Sequence, residues 1–142
     1  MASLDPYLHF NGNCEEAFTF YQSIFGGELQ VMRYKDSAPN PQIKPEEAEQ
    51  LMHASLPVGR NTLMGSDFPS AYGRASAGTN FYITVNADSQ QDADKYFEGL
   101  AAGGKVGMPM AHQFWGSYFG MVTDKFGTHW MISFANPTPA QS

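Results

Sequence analysis

With 142 residues, a formal charge of −6 and only eight Lys and Arg set singly along the chain, the sequence has enough length for one packed domain and no basic stripe for nucleic acid. A lone cysteine, Cys14, excludes an internal disulfide, and no run approaches the roughly 20 apolar residues of a membrane-spanning helix. The stretch from Met1 to Phe10 has neither a basic start nor an apolar run, so a cytoplasmic protein without nucleic-acid or membrane partners is expected. Aromatic residues make up 14% of the chain and eight are Met, which suits either a bulky core or an adaptable apolar pocket.

In chain order, Tyr7–Phe10 reads as a short strand whose facing is open by one residue: Tyr7 with His9, or Leu8 with Phe10, could point to the core. A helix comes next, with Asn13 and Glu16 as a capping box and Cys14, Ala17, Phe18, Tyr21, Ile24 and Phe25 as its apolar stripe. Gly26 and Gly27 end it. Strands are expected over residues 29–34, 52–58 and 61–65, the last two forming a hairpin. Between the first two lies a loop over residues 35–50 with Pro39, Pro41, Pro45 and the acidic run Glu46, Glu47, Glu49. It reads either as a flexible insertion or lid with a short helix, or as a plain linker. Residues 68–78, rich in Ser, Ala and Gly, join this half to the second half of the chain, and Asp67 before them is either a polar anchor or a cap on that linker.

The pattern then recurs. A strand over residues 81–85 precedes a helix capped by Ser89 with Asp92, carrying Ala93, Tyr96, Phe97, Leu100 and Ala101 and stopped by Gly103 and Gly104. Strands over residues 105–110, 118–123 and 129–134 complete it. Phe20 with Phe97, Gly26 with Gly103, Gly27 with Gly104 and Leu29 with Val106 are each 77 positions apart, and an internal repeat is the economical explanation. The expected fold is α+β, with two β-α-β-β-β modules over residues 5–67 and 79–135 forming a curved mixed sheet around a cleft, and a disordered tail over 136–142.

Alternation along the strands divides their faces. Met52, Ala54, Leu56 and Val58 would pack on a helix, leaving His53 on the cleft side; Phe81, Ile83 and Val85 leave Asn80, Tyr82 and Thr84 there. Trp130, Ile132 and Phe134 likewise leave His129, Met131 and Ser133 on the open side. His112 falls in a loop and is expected to be solvated.

The run Phe114, Trp115, Gly116, the block Asp124, Lys125, Phe126, Gly127, Thr128, His129, Trp130, Met131, Ile132, and Phe20 with Tyr21 in the first helix resemble the vicinal oxygen chelate superfamily, which includes glyoxalase I and bleomycin-resistance proteins. The opening from Tyr7 to Ala17 and the closing run from Val122 to Gly127 resemble its PhnB-like branch, over about residues 5–135. In metal-using members, four cleft positions hold one divalent ion. The resemblance carries these to a position near Asp5 or Pro6 and to His53, Asn80 and Met131, of which only His53 is a convincing ligand. Met131 stands where glyoxalase I has a Glu, and a thioether is no base, so the glyoxalase reaction is not expected. His9, His53 and His129 are the histidines that a remodelled metal site would draw on, or they are hydrogen-bonded at the cleft wall.

The resemblance also sets the Trp-Gly turn beside a ligand cavity. Phe114, Trp115, Phe119, Met121 and Met131 are then expected to line it together with His53, Asn80, Tyr82 and His129, with Met108 as a further soft wall, while Trp115 has the alternative of bracing its loop. Two functions are implied: sequestration of a small, partly apolar or aromatic molecule, or a metal-dependent lyase, isomerase or dioxygenase acting on vicinal oxygens through His53. Some PhnB-like members are labelled methyltransferases, but no strand here leads into a Gly-rich turn that would cradle S-adenosylmethionine, and methyl transfer is not expected. A homodimer, swapped or unswapped, is implied as well.

Overall fold

The computed structural model describes residues 2–135, and the tail read as disordered lies outside them. The chain divides between Ser76 and Ala77 into two units. In the first, β1 (Tyr7–Phe10), α1 (Cys14–Phe25), β2 (Gln30–Arg33), β3 (Leu51–Val58) and β4 (Asn61–Asp67) form a four-stranded sheet in the order β1-β4-β3-β2. In the second, β5 (Ile83–Asn86), α2 (Gln90–Ala101), β6 (Lys105–His112), β7 (Ser117–Thr123) and β8 (His129–Ala135) repeat that order as β5-β8-β7-β6. In both, the first strand runs parallel to the last and the other pairs are antiparallel, so the repeat in the sequence is a repeat of topology. No helix among the described residues is long and apolar enough to cross a membrane.

Each sheet buries one face under its helix. Cys14, Ala17, Phe18, Tyr21 and Ile24 of α1 meet Leu8, Phe10, Ala54, Leu56 and Leu63, which settles the facing of β1: Leu8 and Phe10 point inward, Tyr7 and His9 outward. The approach is close. A Cβ added at Gly65 would stand 2.7 Å from a Phe18 ring carbon and 2.8 Å from the Leu8 carbonyl oxygen, so only glycine fits under the helix there. In the second unit Ala93, Phe97 and Leu100 cover Val122, Trp130 and Ile132.

Several sequence expectations need correction. Asn13 does not cap α1 with its side chain, because its backbone (φ −115°, ψ 24°) is outside the extended region from which a capping side chain reaches back. Asp67 takes that role. Its Oδ1 accepts from the N–H groups of Gly12 at 2.8 Å and Cys14 at 2.9 Å, and its Oδ2 from the N–H of Leu51 at 2.9 Å. Ser89, in contrast, has extended backbone and accepts from Asp92 N–H at 3.0 Å, as its sequence predicts. The strand expected from residue 81 starts at Ile83, and Phe81 is 62% exposed rather than backed onto α2. At the start of β3 a register irregularity between Met32 and Arg33 places Leu51 in the core and leaves Met52 half-buried. His112 is not in a loop: it ends β6, its ring 4.8 Å from that of Tyr118.

The loop between β2 and β3 holds two 3-10 turns, Tyr34–Asp36 and Pro45–Glu47. It is tied down by a buried carboxylate: Glu47 accepts from Ser70 N–H at 2.9 Å and Lys44 N–H at 3.0 Å, and these bonds hold it below the usual carboxylate range. Because its pKa is lowered on folding, Glu47 stabilises the fold fully above the ordinary glutamate value of about 4.3 and loses that contribution as pH falls through the lower folded value. Urea midpoints measured between neutral pH and pH 3 should therefore fall less steeply for Glu47→Gln than for the wild type. Asp67→Ala leaves three N–H groups without acceptors and should lower unfolding free energy by roughly 3 kcal/mol or more, read from urea denaturation.

Candidate functional site

The sheet faces turned away from the helices carry the histidines and most of the sequence-predicted site residues on strands. In the first unit, register pairs Tyr7 with Met64, His9 with Ser66, Ser55 with Met64 and Met32 with His53, so all of these share the open face. Three rings adjoin there. Tyr7 lies 5.3 Å from His9 and 5.8 Å from His53 between centroids, and its hydroxyl is 3.3 Å from His53 Nδ1. His9 stacks on Phe68 at 4.2 Å with its Nδ1 3.5 Å from Ser66 Oγ. Phe68 carries no sequence signal for this role, since it stands in the stretch read as a linker. The Nε2 atoms of His9 and His53 have no hydrogen-bond partner among the described residues.

The open face of the second unit is built differently. Met108 pairs with Met121 and Met121 with Met131, while Phe119 pairs with Ser133 and Thr123 with His129. Tyr82 lies outside β5 but stacks on His129 at 5.0 Å. The ring of His129 is held at both ends: Nε2 donates to the Gly78 carbonyl at 2.7 Å, so in the neutral ring Nδ1 accepts from the Thr123 hydroxyl, also 2.7 Å away. Phe114 and Trp115 occupy the turn between β6 and β7, closed by Gln113 N–H to Ser117 O at 2.8 Å and by Gly116 at φ 94°. They are 97% and 54% exposed, and Trp115 meets Phe119 edge-on at 5.8 Å. Asn80 falls in the segment before β5, with its Oδ1 3.4 Å from where a Cβ of Gly78 would stand.

The donors in each unit do not make a divalent-metal site. No group of three His, Cys, Asp or Glu side chains gathers among the described residues of either unit. Asp5, one of the implied ligands, accepts at Oδ1 from Thr62 N–H at 2.9 Å and Asn61 Nδ2 at 3.2 Å, which turns that oxygen to the β4 start. His129 has no nitrogen to give without breaking a hydrogen bond, and Met131 offers only a thioether, which hard ions bind poorly. His9 and His53 are left as two imidazoles beside the Tyr7 phenol. Cys14 is fully buried, and burial with Asp67 nearby pushes its thiol pKa up, so it is no nucleophile. Since His129 ties the segment before β5 to the β7-β8 hairpin, His129→Ala should cost about 1 to 2 kcal/mol in thermal or urea unfolding.

Residues 3–132 match the model of the Glyoxalase/Bleomycin resistance protein/Dioxygenase superfamily. Among curated proteins, protein YjdN of Escherichia coli K12 is 35% identical over 148 residues, spanning 97% of this chain and 99% of that one. Protein Rv0887c of Mycobacterium tuberculosis H37Rv is 30% identical over 137 residues, spanning 92% and 72%. Among solved structures, protein PA1353 from Pseudomonas aeruginosa superposes with a TM-score of 0.84 at 40% identity, covering 96% of this chain and 99% of that one. A PhnB protein from Bacillus cereus gives 0.74 at 25% identity, covering 94% and 100%. With a family match along nearly its whole described length and two mixed sheets of the order that the repeat requires, the chain belongs to the glyoxalase/bleomycin resistance protein/dioxygenase superfamily.

Proposed function

We propose that this protein binds a small, partly apolar or aromatic molecule against the helix-free face of the second unit's sheet, without a resident divalent metal. The observation that carries the reading is the face of the second unit: Met108, Met121, Met131 and Phe119 lie side by side with Trp115 and Tyr82 at its margins. Methionine is the side chain that most easily reshapes around a guest, and aromatic rings add flat contact area at little entropic cost. The half-buried state of Met121 and Met131 leaves apolar surface that a guest would remove from water, at about 25 cal/mol per Å². The first unit's open face, described by itself, presents hydrogen-bonding groups in Tyr7, His9 and His53. Pairing into a homodimer goes with this proposal on the strength of the family resemblance, and a cytoplasmic location on the lone Cys14.

Titration with 1-anilinonaphthalene-8-sulfonate, read by dye fluorescence, tests it. Saturable binding is expected in the wild type, weakened about tenfold or more by Trp115→Ala and by Met121→Lys, with near-ultraviolet circular dichroism checking that both variants stay folded. Dye binding unchanged in both folded variants would overturn the reading.

A further inference from the structure

We infer that the three methionines crossing the open face of the second unit form a site for a soft monovalent cation, of the chemistry of copper(I). Met108, Met121 and Met131 stand on three successive strands, β6, β7 and β8, each directly opposite the next in register. Side chains so placed start about 4.5 to 5.5 Å apart, and three rotatable bonds let each thioether lean toward the central one. The outcome is three sulfur donors on one side of a sheet with no carboxylate or free imidazole among them.

That donor set selects its ion. Thioethers are neutral and polarizable, so they bind soft monocations and leave hard divalent ions in water. The Thr84 hydroxyl, on β5 across β8 from Met121, donates to Met131 Sδ at 3.9 Å, a weak contact that the sulfur gives up when it turns toward Met121. His129, two residues before Met131, has both ring nitrogens occupied and adds no competing donor. The cation on the strand of Met108, Lys105, is opposite Thr123 at the exposed start of β6, beyond the methionine row.

The strand irregularity around Met108 is what isolates this trio. Met110, two residues on, would share the face of Met108 in a regular strand. Register shifts on both sides of Met108 break that alternation, and Met110 Sδ lies on the helix side, 2.6 Å from where a Cβ of Gly120 would be. Access from solvent is open, since Met108 is 37% exposed and Met121 and Met131 are half-buried.

This site shares its face with the proposed ligand but not its chemistry, so the two can fail separately. The test uses the full chain labelled with 13C at the methionine ε-methyls, titrated with silver(I) as a redox-stable probe in chloride-free nitrate buffer. The ε-methyls of Met108, Met121 and Met131, assigned through single Met→Leu variants, are expected to shift together and saturate near one equivalent, and each single Leu change to weaken binding by at least about tenfold. The triple Leu variant keeps the volume and apolarity of the wall, so it should abolish the silver response while retaining its unfolding temperature. Cys14→Ala should leave the response intact. Three ε-methyls that stay unmoved, equal shifts at Met32 and Met110, silver retained by the triple variant, or a response lost in Cys14→Ala would each overturn the site.

Discussion

A carboxylate removed from water must find its donors in the chain, and Asp67, 1% exposed, finds three of them on two separate segments. Its two oxygens hold the approach to α1 through Gly12 and Cys14 and the start of β3 through Leu51, while its own backbone closes β4 and its carbonyl accepts the Tyr34 hydroxyl at 2.8 Å. Each of these is a charge-assisted or buried bond whose loss would strand a donor in an apolar setting. The placement of α1 over the sheet, and hence which face of β1 and β3 is left open, depends on this one side chain. Asp124 serves the second unit in a related way, accepting from Phe126 and Thr128 N–H groups at 2.9 and 3.0 Å and from Trp130 Nε1 at 2.9 Å, which fixes the β7-β8 hairpin and the largest buried side chain together.

With one face of each sheet committed to packing under its helix, the opposite faces stay open, and the two units furnish them differently. The first offers hydrogen-bonding rings, Tyr7, His9 and His53; the second offers thioethers and aromatic edges around an immobilised His129. The same topology thus carries two unlike surfaces, as expected when a fold supplies position and side chains supply function. Neither surface, taken alone, gathers the acidic and imidazole donors that a divalent ion requires.

The repeat, both helices and all eight strands are legible in the sequence, because apolar spacing, Ser89 as a cap and glycine stops at Gly26 and Gly103 are local signals. The open-face membership of His53, His129 and Met131 is legible too, since alternation in a regular strand fixes it. Alternation misleads where a strand is irregular: Met52 and Leu51 exchange places beside one register shift, and Met110 leaves the face of Met108 beside another. Strand bounds are also set by pairing, which is why β5 begins at Ile83 and leaves Phe81 exposed.

What the sequence by itself determined is the set of periodic elements, their duplication and the residue types available to each face, because these depend on neighbours within a few positions. Only the tertiary structure decided the partners: Asp67 as the cap of a helix that begins more than fifty positions earlier, Phe68 under His9, Gly78 and Thr123 clamping His129, and three methionines aligned across strands. Those contacts join segments far apart in the chain, and nothing local to any one of them records the residue it will meet.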